Sequence, residues 1–368
     1  MKPLPNFELA RLLELAKVAA RGKRRTAEVA AFMLDPLPRL AELQQELRDQ
    51  SYRPGTPRPF MIQEPKRRLI AALPFRDRVV QHLLVSESMP ALERWFAPQS
   101  YACRAGYGTH RALRRACDLQ RRFPWLLRLD IAKFFPSIDH EILLQIILPK
   151  TPPNLHWLAR RIVASAGPCE PVRNYFPGDD LFTPSTRAHG LPIGNLTSQV
   201  WANAMLTPVD HLLASSLGIG TFVRYCDDIL IYARDRSSLE RALEKVEASS
   251  TALRLRLHAT KCRLHRTTEP VAFLGFVLSR VDEAVRIRLR SDNIRRCRAR
   301  LTQSHAQLAA GKLDVSTLMA RVRSWLAHAK HGHTRGVRQS MTRACNPRRA
   351  QVMKVEFLPA PAFSCTHK

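Results

Sequence analysis

The sequence predicts an α+β protein in which an antiparallel sheet is backed by helices. Three observations carry that expectation. Residues 221–233 form two short β-rich runs around Cys226-Asp227-Asp228, a hairpin signal. Residues 125–131 are a brief apolar run, Trp-Leu-Leu-Arg-Leu-Asp-Ile, with a carboxylate near its end, and read as a strand. Longer segments with apolar residues at helical spacing lie before, between and after them.

Taken in order, residues 7–20 carry Phe7, Leu9, Leu12, Leu13, Leu15 and Val18 at helical spacing. A basic break follows at Arg21 to Arg25, and Thr26 is placed to cap a second helix containing Val29, Ala30 and Phe32. Pro36 and Pro38 interrupt it, and another helical stretch runs to about Asp49. Tyr52 to Pro59 is proline-rich and extended or turning. Residues 60–72 alternate as strands, 75–96 read as helix, and 140–166 as helix again. Residues 167–189 are rich in Pro and Gly and read as a long loop, which is unusual enough to point to function. Helix returns at 196–216 and 237–257, with a strand-like run at 271–278.

The chain changes texture near residue 290. Ser291 or Asp292 is placed to cap a basic helix ending near Gly311, and Asp314 or Ser316 another ending near Gly332. Residues 346–368 read as a poorly ordered tail.

Composition narrows the function. Among 368 residues there are 59 Lys and Arg against 31 Asp and Glu, a net charge of +28. Such a charge calls for a polyanionic partner, nucleic acid above all, and fits a structural binder as well as an enzyme. With 45% hydrophobic residues the chain can bury a core. The eight cysteines include no Cys-x-x-Cys pair, which argues against a zinc ribbon and for reduced thiols in a cytosolic protein. Met1 to Phe7 has no apolar signal core, and no apolar run is long enough to span a membrane. No membrane association is expected.

The chemistry centres on Phe222-Val-Arg-Tyr-Cys-Asp-Asp-Ile-Leu-Ile-Tyr232. Two adjacent carboxylates on an apolar hairpin repel each other and resist burial unless a cation joins them. Mg²⁺ prefers such oxygen ligands. The bland alternative is an Asp-Asp turn in solvent. Asp130, at the end of the 125–131 strand, shifts the balance. Two metal ions held about 4 Å apart by such a set can activate a 3′-hydroxyl and stabilise leaving pyrophosphate. Asp139 is a rival carboxylate, but its place at a helix start suits capping.

Tyr225-Cys-Asp-Asp228 resembles the Tyr-x-Asp-Asp box of reverse transcriptases. Asp130 with Phe135 resembles the preceding palm motif, and Gly190-Leu-Pro-Ile-Gly-Asn-Leu-Thr-Ser-Gln199 the block between. Pro65-Lys-Arg-Arg-Leu-Ile70, Pro74 to His82 and Ser100 to His110 resemble the finger blocks, and Phe273-Leu-Gly-Phe276 the primer grip. The blocks stand in family order over roughly residues 20–335, which makes the resemblance specific.

The resemblance implies a right-hand polymerase. Residues 1–110 would form the N-terminal region and fingers, 111–290 the palm with finger–palm elements, 291–345 a helical thumb, and 346–368 a disordered tail. It implies that Asp130, Asp227 and Asp228 hold two Mg²⁺ ions, or Mn²⁺, with the Ile131 carbonyl as a further ligand. Phe135 would be the steric gate against a ribose 2′-hydroxyl; a core aromatic is the alternative. Lys66 and Arg68 would grip the incoming triphosphate, with Arg67 turned the other way on a strand. Lys261 would protonate pyrophosphate or bind phosphate. The thumb arginines Arg295, Arg296, Arg298, Arg300, Arg321 and Arg323 would follow the template–primer backbone. His328 and His331, beside Trp325, would touch the duplex or the core.

In detail the blocks resemble those of diversity-generating retroelements. Ile193-Gly194-Asn-Leu-Thr-Ser-Gln199 stands where most reverse transcriptases carry Gln-Gly-x-x-x-Ser-Pro. A glutamine there can hydrogen-bond the incoming nucleotide and Ile193 cannot, so discrimination against mispairs should weaken. Cys226 replaces the Met frequent in the family's box, a swap between soft, mid-sized side chains. The expected partners are a template RNA, the RNA/DNA primer–template duplex, dNTPs and a small basic oligomeric accessory protein, in a prokaryotic or phage-encoded cytoplasmic system. No RNase H domain or Cys/His endonuclease cluster is expected. The rivals are another prokaryotic reverse transcriptase, intron-like, defence-associated or CRISPR-linked, and a non-catalytic RNA-binding scaffold.

Overall fold

The computed structural model describes residues 7–63, 67–167, 169–216 and 220–345. It is a mixture of helices and antiparallel strands that divides into two compact units. Lys66 and the 346–368 tail lie outside the described residues.

The first unit comprises Met1–Gly108, Leu127–Ile231 and Ser237–Arg263. Helices Leu9–Ala19, Ala27–Leu34 and Pro36–Arg48 pack together, the first two also against the long helix Phe75–Trp95. Leu12, Leu15, Leu40, Leu43, Leu47, Val79 and Leu83 are buried there. Pro36 starts its helix, where a missing N–H costs nothing. Thr26 does occupy the N-cap position before Ala27, but its hydroxyl donates back to the Lys23 carbonyl at 2.8 Å and caps nothing. Strands β1 (Arg58–Ile62) and β2 (Arg68–Ala72) pair antiparallel with Phe60 opposite Ile70. Strands β3 (Trp125–Leu129), β4 (Phe222–Tyr225) and β5 (Asp228–Ala233), which lie mainly in this unit, form a sheet in the order β4–β5–β3, and β6 (Arg263–Arg266) lies mainly in the second unit. Helix Leu196–Met205 packs on Phe75–Trp95 and on His140–Ile147.

Two expected helices are broken. The 140–166 stretch is His140–Ile147 and His156–Ala164, separated by 3-10 turns. Pro149, Pro152 and Pro153 fall in the gap, and prolines remove the donors a continuous helix needs. The 196–216 stretch divides after Met205, ahead of a short helix with Pro208 in its first turn. The 167–189 loop is long as expected, with one short helix at Thr183–Thr186.

The second unit comprises Thr109–Leu126, Tyr232–Arg236 and Leu264–Lys368. Strands β7 (Val271–Phe273), β8 (Phe276–Val281) and β9 (Ala284–Leu289) form an antiparallel meander against helix Thr109–Arg122. Its Leu113, Ala116 and Leu119 are buried, as are Phe273, Phe276, Leu278 and Ile287 of the strands. Leu274 and Gly275 join β7 to β8 with φ of 47° and 87°. A two-residue hairpin of this kind requires positive φ at both positions. Helices Ser291–Ala309, Val315–Ala329 and Arg335–Cys345 follow. Asp314 caps the second through the Thr317 N–H at 2.8 Å. Ser291 and Asp292 do not cap the first: Arg290 holds that position, and Asp292 pairs instead with Arg290 and Arg296.

Candidate functional site

Asp130 directly follows β3, and a distant segment fixes it. Ile131, whose side chain is buried, bridges antiparallel to Leu257. The His258 N–H donates to the Asp130 carbonyl and the Ala132 N–H to that of Arg256, both at 2.8 Å. A turn follows in which Lys261 and Cys262 N–H groups donate to the His258 carbonyl. It brings Lys261 Nζ to 2.5 Å from Asp130 Oδ2.

The β4–β5 hairpin delivers the other two carboxylates. Tyr225 pairs with Asp228, leaving Cys226 and Asp227 as the loop. Cys226 has φ of 54°. The favoured two-residue hairpin loops place their first residue at positive φ, a strained conformation for anything but glycine. Burial pushes the Asp227 carboxyl above its ordinary range, the Asp130 charge adds to this, and Arg68 and Lys261 oppose it. Burial pushes Asp228 up to about 6, with Arg128 pulling down and Asp227 and Asp130 pushing further up. The three carboxylates therefore sense one another. Asp228 Oδ1 is buried without a hydrogen-bond partner, and Arg128 Nε stands 3.4 Å away.

Burial and mutual repulsion of this kind are costs that a bound cation would relieve. Among the described residues no three His, Cys, Asp or Glu side chains are gathered ready-made around one point. Asp130 is drawn to Lys261 and Asp228 to Arg128. The donor chemistry nevertheless fits a hard divalent ion: buried carboxylates, mutual repulsion and an orphaned oxygen.

The segment 190–199 frames the same unit. The Leu191 N–H donates to the Phe135 carbonyl at 2.9 Å and the Gly190 N–H to that of Ile138 at 2.8 Å. Phe135 is half-buried, edge-on to buried Phe134 with ring centres 5.6 Å apart. Ile193 bridges parallel to Ile70, and its carbonyl accepts the Ala71 N–H at 3.3 Å. Gly194 has φ of 112°, and a Cβ there would stand 2.9 Å from Ile70 Cγ2. Only glycine lets β2 dock so closely, and β2 begins with Arg68, an exposed side chain whose charge reaches Asp227. Gln199 is exposed on helix Leu196–Met205, its Oε1 4.0 Å from Cys103 Sγ.

The structure thus brings Asp130, Asp227, Asp228, Lys261 and Arg68 into one electrostatic group, with Ile193 and Gly194 supporting the strand of Arg68. Asp139 is a helix cap as read from sequence, accepting from the Glu141 and Ile142 N–H groups at 2.9 and 3.1 Å. Arg67 precedes β2 rather than alternating within it. Sequence reasoning passed over Arg128, although alternation along β3 places it on the face of Asp130. It also passed over His110, which stacks on His331 with ring centres 3.5 Å apart and lies 6.0 Å from His328. Nothing in the spacing of those residues announces the contact.

Residues 62–278, more than half of the chain, match a family model described as reverse transcriptase (RNA-dependent DNA polymerase). Of the site residues named in this subsection, only His328 and His331 lie outside the matched range. No curated protein matches the chain.

Proposed function

The chain belongs to the reverse transcriptase family and is an RNA-directed DNA polymerase, and from that premise we propose that it makes error-prone cDNA as the polymerase of a diversity-generating retroelement. The observation that carries the catalytic centre is the β4–β5 hairpin, which sets Asp227 and Asp228 within electrostatic reach of Asp130. These three carboxylates would hold two Mg²⁺ ions, or Mn²⁺, aided by the Ile131 carbonyl. Bound there, the ions would supply charge neutralisation and an acidified 3′-hydroxyl for attack on the α-phosphate.

The chain's own side chains position and protect. Arg68, with Lys66, binds the incoming triphosphate by charge-assisted hydrogen bonds. Lys261 leaves Asp130 to hold a proton against departing pyrophosphate. Half-buried Phe135 excludes a 2′-hydroxyl of the incoming sugar. Ile193 offers an apolar surface where a glutamine would test base-pair geometry, and Gln199 closes the segment.

Around that centre we assign fingers to residues 1–110, palm to 111–290 and a helical thumb to 291–345. The net charge of +28 supports binding of template RNA and the RNA/DNA duplex through phosphates. The Ile193-Gly194 and Ser198-Gln199 pattern supports the retroelement assignment, which brings with it a small basic accessory protein. Among the described residues no helix is long and apolar enough to cross a membrane.

Primer extension on an RNA template with Mg²⁺, with Asp227→Ala alongside, tests this. Extension with errors concentrated opposite template adenine, absent in the variant, is the expected result. Accurate extension would retain the polymerase and remove the mutagenic role.

A further inference from the structure

A buried polar network around Arg224 uses no side chain given a catalytic or ligand-binding role above, and it grips the hairpin that carries Asp227. Arg224 is the third residue of β4, and its side chain is 0% exposed. A guanidinium offers five N–H donors and accepts nothing. Here each donor is matched by an acceptor. Nε donates to Asp210 Oδ1 at 2.7 Å and Nη2 to Asp210 Oδ2 at 2.5 Å. Nη2 also reaches the Asn203 carbonyl at 3.2 Å. Nη1 donates to Asn203 Oδ1 at 2.9 Å and to the Cys226 carbonyl at 3.2 Å.

The acceptors are themselves held. Ser100 Oγ donates to Asn203 Oδ1 at 2.9 Å, and Asn203 Nδ2 donates to the Ala102 carbonyl at 3.2 Å. The backbone of Arg224 is fixed as well: its N–H donates to the Gln99 carbonyl and its carbonyl accepts from Tyr101, both at 2.9 Å.

Stability alone is a weak reason for such a pair, because apolar residues of similar volume often serve a core as well or better. Geometry is a stronger reason. The Cys226 carbonyl belongs to the peptide that joins Cys226 to Asp227. That peptide is planar, so fixing its oxygen fixes where the Asp227 backbone begins. Cys226 sits at φ of 54°, a conformation that persists only when its surroundings enforce it. Asn203 lies on helix Leu196–Met205, which follows directly from Ile193 and Gly194 and carries Gln199. One guanidinium therefore ties the hairpin loop to the helix that continues the β2-docking segment.

We infer that Arg224, clamped by Asp210 and Asn203, is a positioning residue that sets the Cys226–Asp227 peptide and so aims the Asp227 carboxylate. The inference rests on the reading of Asp227 as a metal-binding catalytic carboxylate.

Arg224→Lys tests it in the full chain. Lysine keeps a charge for Asp210 but cannot reach Asn203 and Cys226 with a planar fork. The expected result is a fall of about 10- to 100-fold in kcat for dNTP addition with KM within about threefold. Amide hydrogen exchange in the peptide 222–232 should quicken by about tenfold or more, with that of helix Phe75–Trp95 unchanged. Should Arg224→Lys fail to fold, Ser100→Ala leaves the ion pair intact and is expected to show the same two changes, smaller. A folded variant with wild-type kcat and wild-type exchange at 222–232 overturns the inference. If wild-type protein extends no primer, the reading of Asp227 fails, and hairpin exchange alone then decides for or against Arg224.

Discussion

Lys261 Nζ meets Asp130 Oδ2 at 2.5 Å, joining residues 131 positions apart in the sequence. The contact follows from the Ile131–Leu257 bridge and the turn at His258. It leaves one side chain with two readings, counter-ion to a carboxylate or proton donor to pyrophosphate. Lys261→Arg separates them, because arginine keeps the ion pair but does not release a proton near neutral pH. For the proposed donor, kcat falls by about 100-fold while the melting temperature holds. An undiminished rate makes Lys261 a counter-ion only.

Asp228→Asn should remove catalysis and raise stability together. Burial and two neighbouring carboxylates disfavour the Asp228 charge, and Arg128 compensates only partly. Removing that charge should stabilise the folded chain by on the order of 2 kcal/mol. Melting in EDTA is expected to rise by about 2–4 °C, with primer extension lost. A lower melting temperature would mean that the Arg128 contact outweighs the burial of charge.

Gly194→Ala places a methyl 2.9 Å from Ile70 Cγ2 at a backbone φ of 112°. The Ile193–Ala71 hydrogen bond should lengthen and β2 should shift. A stability loss of about 1–3 kcal/mol is expected, read by denaturant unfolding. The KM for dNTP should rise as well, since β2 carries Arg68. A change in stability with unaltered KM would separate Arg68 from triphosphate binding.

Phe135→Ala should admit ribonucleotides. The Phe135 ring is half-buried against Phe134, so its loss opens space beside a carbonyl that remains fixed by Leu191. The ratio of kcat/KM for dNTP over rNTP is expected to fall by about 100-fold or more. An unchanged ratio, with reduced stability, would make Phe135 a core aromatic.

Ile193→Gln should improve accuracy. Its backbone contacts to β2 do not depend on the side chain, so the fold should tolerate the change. Sequenced cDNA from the same RNA template is expected to show fewer errors opposite adenine, by about tenfold. Equal error spectra would place the determinant elsewhere.

The strands and the carboxylates were legible because their signals are local. The two β-rich runs of 221–233 and the apolar run into Asp130 each fit within about a dozen residues, as does the Asp314 cap. The breaks at Pro149, Pro152 and Pro153 were also local, yet the apolar periodicity around them masked the interruption. Helix Thr109–Arg122 was overlooked because its many arginines hide a narrow apolar face of Ala112, Leu113, Ala116 and Leu119.

By itself the sequence determined the antiparallel hairpin, the identities of Asp130, Asp227 and Asp228, the glycine at 194 and a charge suited to a polyanion. Each depends on residue type and near-neighbour spacing, which chain chemistry dictates without reference to the rest of the fold. Only the tertiary structure decided that Lys261 faces Asp130, that Arg128 faces Asp228, and that Arg224 joins Asp210, Asn203 and the Cys226 carbonyl. Those pairings join segments from 2 to 131 residues apart. Which partner a buried charge meets depends on how sheet, helix and loop close around it, and periodicity along one segment carries no record of the segment that will pack against it.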